Sequence, residues 1–339
     1  MEFMKFIDIE NEEWNLYLEQ LDGCTFNYTA EKINFDVEYA INIVSNESVL
    51  CLVDKKIVGA AVFYIEKNNE DGYTVSWSNS YCPIPIVGST LEYRKQEKYI
   101  EEILKYIGSV AKNYGCVSIK LRYDPLSNPD SRNKICNYNF LLKEGYIDNS
   151  SLTQIIDLQK EEVILWTEVR KTYRRYINKG DYKIRYYDHE NITEDVIEEY
   201  KRIYELDAGK VTRNSEMYYH YYRFVKSGNG LVAIAEKNGE NVAVLVITIY
   251  KDTSYYSSYG ELEEKLEGVP VGHFLHWNTI LELKRRGIKF HEMGEQVFGP
   301  THYNNPEQKL INISNFKRGF GGYTLPIFRG IKYLNTDKQ

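Results

Sequence analysis

The chain of 339 residues is 43% apolar and 27% charged, ordinary figures for a globular protein of about two domains, which exclude wholesale disorder and a fibrous repeat. Forty-two basic against forty-nine acidic residues leave a net charge of -7, which argues against a basic nucleic-acid coat and against DNA as a partner. The longest nearly pure apolar run, Val242 to Tyr250, is far short of the roughly 20 residues of a membrane span, and the opening Met-Glu-Phe-Met-Lys-Phe has no basic region followed by an apolar stretch, so a cytoplasmic protein without stable membrane insertion is expected.

In chain order, Val49 to Val53 reads as a strand, Asp54-Lys55-Lys56 as a turn, Ile57 to Ile65 as a second strand and Tyr73 to Trp77 as a third. A loop, Cys82 to Ser89, leads to a helix from Leu91 to Tyr114, in which Tyr99, Ile100, Ile103, Leu104, Ile107 and Val110 recur at three- and four-residue spacing. Gly115 ends it, and Val117 to Arg122 is the next strand. The second half repeats the order. Leu231 to Glu236, a turn at Lys237-Asn238-Gly239-Glu240, Val242 to Tyr250 and Ser254 to Gly260 read as three strands. A loop with Gly268, Pro270 and Gly272 precedes a helix from His273 to Arg286, closed by Gly287 and followed by a strand, Ile288 to Met293. Hairpin, strand, loop, helix, strand, twice over, implies one mixed α/β unit duplicated, with domains at 1–150 and 151–339.

Three segments carry chemistry. From Trp166 to Arg185 there are seven basic and two acidic residues; at helical spacing Lys171, Arg174, Arg175 and Lys179 share a face, while Tyr173, Tyr176 and Ile177 lie on another and anchor the helix. That face reads either as a solvated surface or as a site for a polyanion such as a diphosphate, a nucleotide sugar or an RNA backbone. The loop Glu267 to Gly272 before His273 offers a helix N-terminus to phosphate or to an oxyanion. The run Asn315-Phe316-Lys317-Arg318-Gly319-Phe320-Gly321-Gly322-Tyr323 places a basic pair among aromatic residues and glycines, and a cation there suits negative charge developing on an acyl oxygen. His273 and His276 are three apart but lack the acidic ligand of a zinc helix, and no GxSxG, Walker or Rossmann fingerprint occurs, so no metal site is expected. The five cysteines, Cys24, Cys51, Cys82, Cys116 and Cys136, are widely spaced and read as buried thiols.

At these residues a family resemblance emerges. Lys171 to Lys179 resembles the "K-T-x-R-x-x-I-x-K" helix of the Fem-type transferases, Phe274-Leu275-His276-Trp277-Asn278-Thr279-Ile280 with Arg286-Gly287-Ile288 resembles their helix and following strand, and Phe316 to Gly322 resembles their terminal "FK-x-G-FGG" signature. The family's "Y-D-F-G" strand stands here as His291-Glu292-Met293-Gly294. The resemblance implies two tandem GNAT-like acyltransferase domains and transfer of an aminoacyl group from aminoacyl-tRNA to an amine of a cell-envelope precursor or other small acceptor, with the tRNA as co-substrate and no further cofactor. Acyl-CoA acting on an amino sugar or related amine is the alternative donor reading, and a non-catalytic protein holding RNA or a nucleotide sugar is the alternative from another class. By the resemblance Phe316 and Lys317 lie at the transfer centre; Glu292 or Glu295 is the candidate proton acceptor, and Tyr303 or Tyr323 a further donor to the oxyanion. Lys171, Arg174, Arg175, Lys179, Gly272, His273 and Arg318 are the candidate substrate and phosphate contacts.

Overall fold

The computed structural model describes residues 1–68, 72–88, 90–127, 138–262, 270–300 and 305–334. The chain forms two compact units, Met1–Ser151 together with Pro326–Gln339, and Leu152–Leu325.

In the first unit β1 (Glu2–Lys5), α1 (Asn11–Glu19), α2 (Ala30–Tyr39) and β2 (Ile43–Asn46) precede the hairpin β3 (Val49–Val53) and β4 (Lys56–Ala61). Its two-residue turn holds Asp54 and Lys55 at φ 50° and 61°, the backbone twist that lets two strands pair directly. β5 (Tyr64–Lys67), β6 (Tyr73–Val75), β7 (Cys82–Pro83) and β8 (Ile86–Val87) follow, then α3 (Tyr93–Asn113), β9 (Cys116–Arg122) and β10 (Ile147–Asp148). The α3 face set by Ile103, Leu104, Ile107 and Val110 is buried as its spacing requires. The single strand expected from Ile57 to Ile65 is two: β4 joins a sheet ordered β1-β3-β4-β8, whereas β5 joins β2 and β6 in the second sheet. Burial on both sides of Ala60 to Ile65 makes the segment uniformly apolar, so its pattern does not mark the change of sheet. Cys24, Cys51, Cys82 and Cys116 are buried free thiols, Cys116 pushed up to about 11 by burial; Cys136 lies outside the described residues.

The second unit runs β11 (Ser151–Asp157), α4 (Glu162–Glu168), α5 (Lys171–Lys179), β12 (Lys183–Tyr187), α6 (Glu194–Ala208), α7 (Ser215–Lys226), β13 (Gly230–Lys237), β14 (Glu240–Tyr250), β15 (Thr253–Glu261), α8 (Val271–Arg285), β16 (Phe290–Gln296), α9 (Gln308–Arg318) and β17 (Tyr323–Ile327). Its sheet is ordered β12-β13-β14-β15-β16-β11-β17. Asn238 and Gly239 turn β13 into β14 at φ 53° and 85°, the Asn-Gly signal acting as expected. Leu231, Ala233, Leu245 and Ile247 of the sheet pack with Leu275, Ile280 and Leu283 of α8 and with Tyr173 and Ile177 of α5 in one core.

The duplicated order is borne out in topology. In each unit a helix connects a parallel pair, β6 to β9 through α3 and β15 to β16 through α8. The expected domain 151–339 is corrected at its end: β18 (Arg329–Tyr333) lies between β10 and β9 in the first unit's sheet.

Candidate active site

The parallel pairing of β15 with β16 covers only Thr253 to Tyr255 against Phe290 to Glu292. Beyond Glu292 the register of β16 against β11 shifts, Gln154 facing Gly294 and Ile155 facing Glu292, so Met293 is bulged. Gly294 sits at φ 93°, a conformation that glycine adopts without a Cβ penalty. The pairing of β15 with β16 therefore ends at Tyr255 and Glu292, after which come Tyr256 and, past the bulged Met293, Gly294.

Lys317 enters at this parting. It stands on the last turn of α9, its Nζ 4.9 Å from the Tyr256 ring centroid, and a Cβ on Gly294 would come within 2.9 Å of it. Burial pulls its pKa below the usual lysine value, while the charges of Glu292 and Glu295 favour the cation. Glu292 accepts a hydrogen bond from Thr153 Oγ1 at 2.7 Å; Glu295 is exposed. The charges of both carboxylates thus act on the ammonium.

Around the lysine is an aromatic wall. Phe316 sets its ring edge-on to His273, His276 and Phe320, each at 5.2 Å. His276 stacks on Tyr256 at 5.5 Å and on Phe320 at 5.4 Å. His273 meets Tyr173 at 4.2 Å and Tyr176 at 5.1 Å. Burial holds both imidazoles well below the ordinary value, His276 at about 3 and His273, with Arg170 nearby, at about 4. Sequence reasoning placed His276 in the family motif without giving it a role; its spacing from His273 was the signal available, and burial is what makes it distinctive.

The glycines of the C-terminal run fix this packing. A side chain on Gly319 would collide with the Tyr173 ring, and one on Gly322 with the Ile155 carbonyl. Gly321 and Gly322 turn the chain at φ 91° and 78° into β17. Gly272 is buried, and a Cβ there would meet Tyr259 Oη at 2.6 Å, so the first turn of α8 lies close against β15.

Of the basic helix α5, Tyr173 and Ile177 are buried while Lys171, Arg175 and Lys179 are exposed and Arg174 is half-buried. Two of the expected anchors, Tyr173 and Ile177, are thus buried, whereas Tyr176, expected on the same face, is half-buried like Arg174. Arg318 is engaged within the fold: it donates to Gln296 Oε1 at 2.9 Å and to Asn315 Oδ1 at 2.5 Å, and lies over the Phe298 ring at 4.1 Å. Tyr303 and the loop residues Glu267 to Val269 lie outside the described residues. Among the described residues no cluster of three or more histidine, cysteine or acidic side chains is placed to hold a metal ion, and no helix is long and apolar enough to cross a membrane.

Comparison with known proteins bears on the fold that carries this arrangement. Residues 166–304 match the model of the acetyltransferase (GNAT) domain. The crystal structure of FemX is similar over 99% of this chain and 98% of its own, with a TM-score of 0.69 and 13% identity. L-PGS from Bacillus licheniformis is similar over 95% and 92%, with a TM-score of 0.56 and 12% identity. A tandem GNAT protein from the clavulanic acid biosynthesis pathway is similar over 98% of both chains, with a TM-score of 0.52 and 12% identity. At such identities the likeness is one of fold. No curated protein sequence matches the chain. Over the matched residues the second unit resembles a GNAT domain. The chain as a whole has the Fem-type tandem GNAT fold.

Proposed function

We propose that the protein is an N-acyltransferase that moves an aminoacyl group from aminoacyl-tRNA to an amine of a cell-envelope precursor or comparable small acceptor, in the cytoplasm and without a further cofactor. The observation that carries the reading is the position of Lys317, held by α9 against Gly294 and Tyr256 where β15 and β16 part. In the reaction the acceptor amine attacks the ester carbonyl, a C–N bond forms, and negative charge gathers on the carbonyl oxygen. The Lys317 ammonium stabilises that charge as it develops. Collapse breaks the ester C–O bond, and the proton lost by the amine passes through Glu292 or Glu295 to the leaving hydroxyl. The exposed cations Lys171, Arg175 and Lys179 on α5 support a polyphosphate donor.

The GNAT match over 166–304 favours a second reading, in which acyl-CoA supplies the acyl group to an amino sugar or related amine. Melting curves with charged tRNA and with acetyl-CoA separate the two, because a ligand that binds only the native state raises the midpoint. The proposal expects stabilisation by charged tRNA and product formation detected by mass spectrometry of the acceptor. Stabilisation by acetyl-CoA alone moves the assignment to the second reading; stabilisation with no product from either donor leaves a binding protein. Lys317→Ala is expected to keep the fold and lose about 100-fold or more in turnover; wild-type turnover in that variant removes the lysine from the mechanism.

A further inference from the structure

His276 is a histidine whose tautomer the fold dictates. Its Nδ1 lies 2.9 Å from the Gly272 carbonyl oxygen, and a carbonyl can only accept, so Nδ1–H donates and Nε2 carries the lone pair. The residue is 2% exposed, and Nε2 has no hydrogen-bond partner among the described residues. The ring is stacked with Tyr256 and with Phe320, with Tyr259 and Phe316 edge-on at 5.0 and 5.2 Å. Burial, with the charge of Lys317 adding to it, keeps the ring neutral at physiological pH. A buried acceptor left unsatisfied is destabilising, and a leucine or phenylalanine would fill an aromatic niche without that cost. The imidazole is therefore not explained by packing.

We infer that His276 Nε2 accepts a hydrogen bond from an N–H group of the bound acyl donor and so holds the acyl group beside Lys317, as a positioning residue. The inference rests on the acyl-transfer reading above and deepens it. Nε2 is an acceptor only, so it pairs with a donor group and not with a phosphate or carboxylate, and the surrounding rings suit a group flanked by apolar atoms. Two donors carry such an N–H: an aminoacyl ester through its amino group, and a pantetheine thioester through its amides.

The test is long-range ¹⁵N correlation NMR of the full chain labelled at histidine. In the free protein His276 is expected to show a protonated Nδ1 and a bare Nε2, unchanged between about pH 5 and 8. Acetyl-CoA and an RNA microhelix carrying alanine through a stable amide are the two probes, with binding followed separately by melting temperature. An upfield move of Nε2 on binding supports the inference, and the probe that causes it identifies the source of the N–H. Binding without any move of Nε2 overturns the inference and leaves acyl transfer standing. If neither probe binds, the acyl-transfer reading fails and the inference with it. In kinetics, His276→Leu is expected to raise KM for the donor about tenfold with little change in kcat, the size of one hydrogen bond. His276→Gln, which keeps an acceptor, should recover most of it. A leucine variant with wild-type KM overturns the inference, and should leucine not fold, the glutamine variant and the spectra decide.

Discussion

Gly294 meets two demands that no other residue satisfies together. Its φ of 93° is costly for an L-residue, by about 1–2 kcal/mol, and any Cβ would crowd the Lys317 ammonium. Gly294→Ala should therefore lower the unfolding free energy measured in urea by that amount and reduce acyl transfer beyond what the stability loss explains, because the lysine is pushed off Tyr256. The "Y-D-F-G" likeness pointed to this glycine as part of a strand, but its reason is a bulge, and a bulge depends on the register with β11, which the local sequence does not encode. Three histidines with depressed pKa values, two of them buried and His273 half-buried, make a second prediction. His273, His276 and His291 are held at about 4, 3 and 4, below the ordinary value near 6.5. Between those limits the unfolded chain binds more protons than the folded one, so stability is intact above about pH 6.5 and falls as pH is lowered toward 4. Each fully depressed histidine contributes a slope of up to about 1.4 kcal/mol per pH unit. Denaturant titrations at stepped pH should show this decline, made shallower by His276→Gln; a flat profile would mean these rings are protonated without cost.

At the level of elements, α5 separates packing from charge. Tyr173 and Ile177 belong to the core, whereas Lys171 and Arg175 project from it. Lys171→Gln with Arg175→Gln should change stability by no more than about 0.5 kcal/mol. Binding of charged tRNA should weaken, and the slope of log affinity against log salt should fall by about one for each phosphate that is no longer neutralised. An unchanged slope would remove α5 from the RNA path. Helical spacing made both faces of α5 legible in advance, since a nine-residue helix with few acids has one way to sort its tyrosines from its arginines. It could not show that Tyr173 is what Gly319 makes room for, because that packing joins residues far apart in the chain. The same limit explains the strand that divides into β4 and β5: alternation reports which face is buried, and here both faces are.

For the molecule as a whole, the duplicated order of elements was legible because hairpin turns, helix ends and apolar runs are local, whereas the destination of the last strand was not. β18 runs antiparallel to β9 from Arg329–Arg122 to Tyr333–Ser118 and also pairs with β10. Phe328 O accepts from Tyr123 N at 2.6 Å, Asn139 donates to Arg329 O at 2.7 Å, and Lys332 Nζ to Glu144 O at 2.7 Å. Nothing in Arg329-Gly330-Ile331-Lys332-Tyr333 taken alone distinguishes a strand that continues the second unit from one that completes the first. The consequence is that the first unit's sheet closes only after the second unit's chain has been made. Deleting residues 328–339 strips one edge of β9, where Ile119 and Leu121 are buried. At about 1 kcal/mol per hydrogen bond the loss is several kcal/mol, a large share of the roughly 5–15 kcal/mol that holds a domain folded. Hydrogen exchange on the truncated chain should show protection lost over Cys116–Arg122 while β13, β14 and β15 keep theirs. Equal loss in both regions would mean that the two units unfold as one, and unchanged protection in β9 would show that its pairing with β6 and β7 suffices.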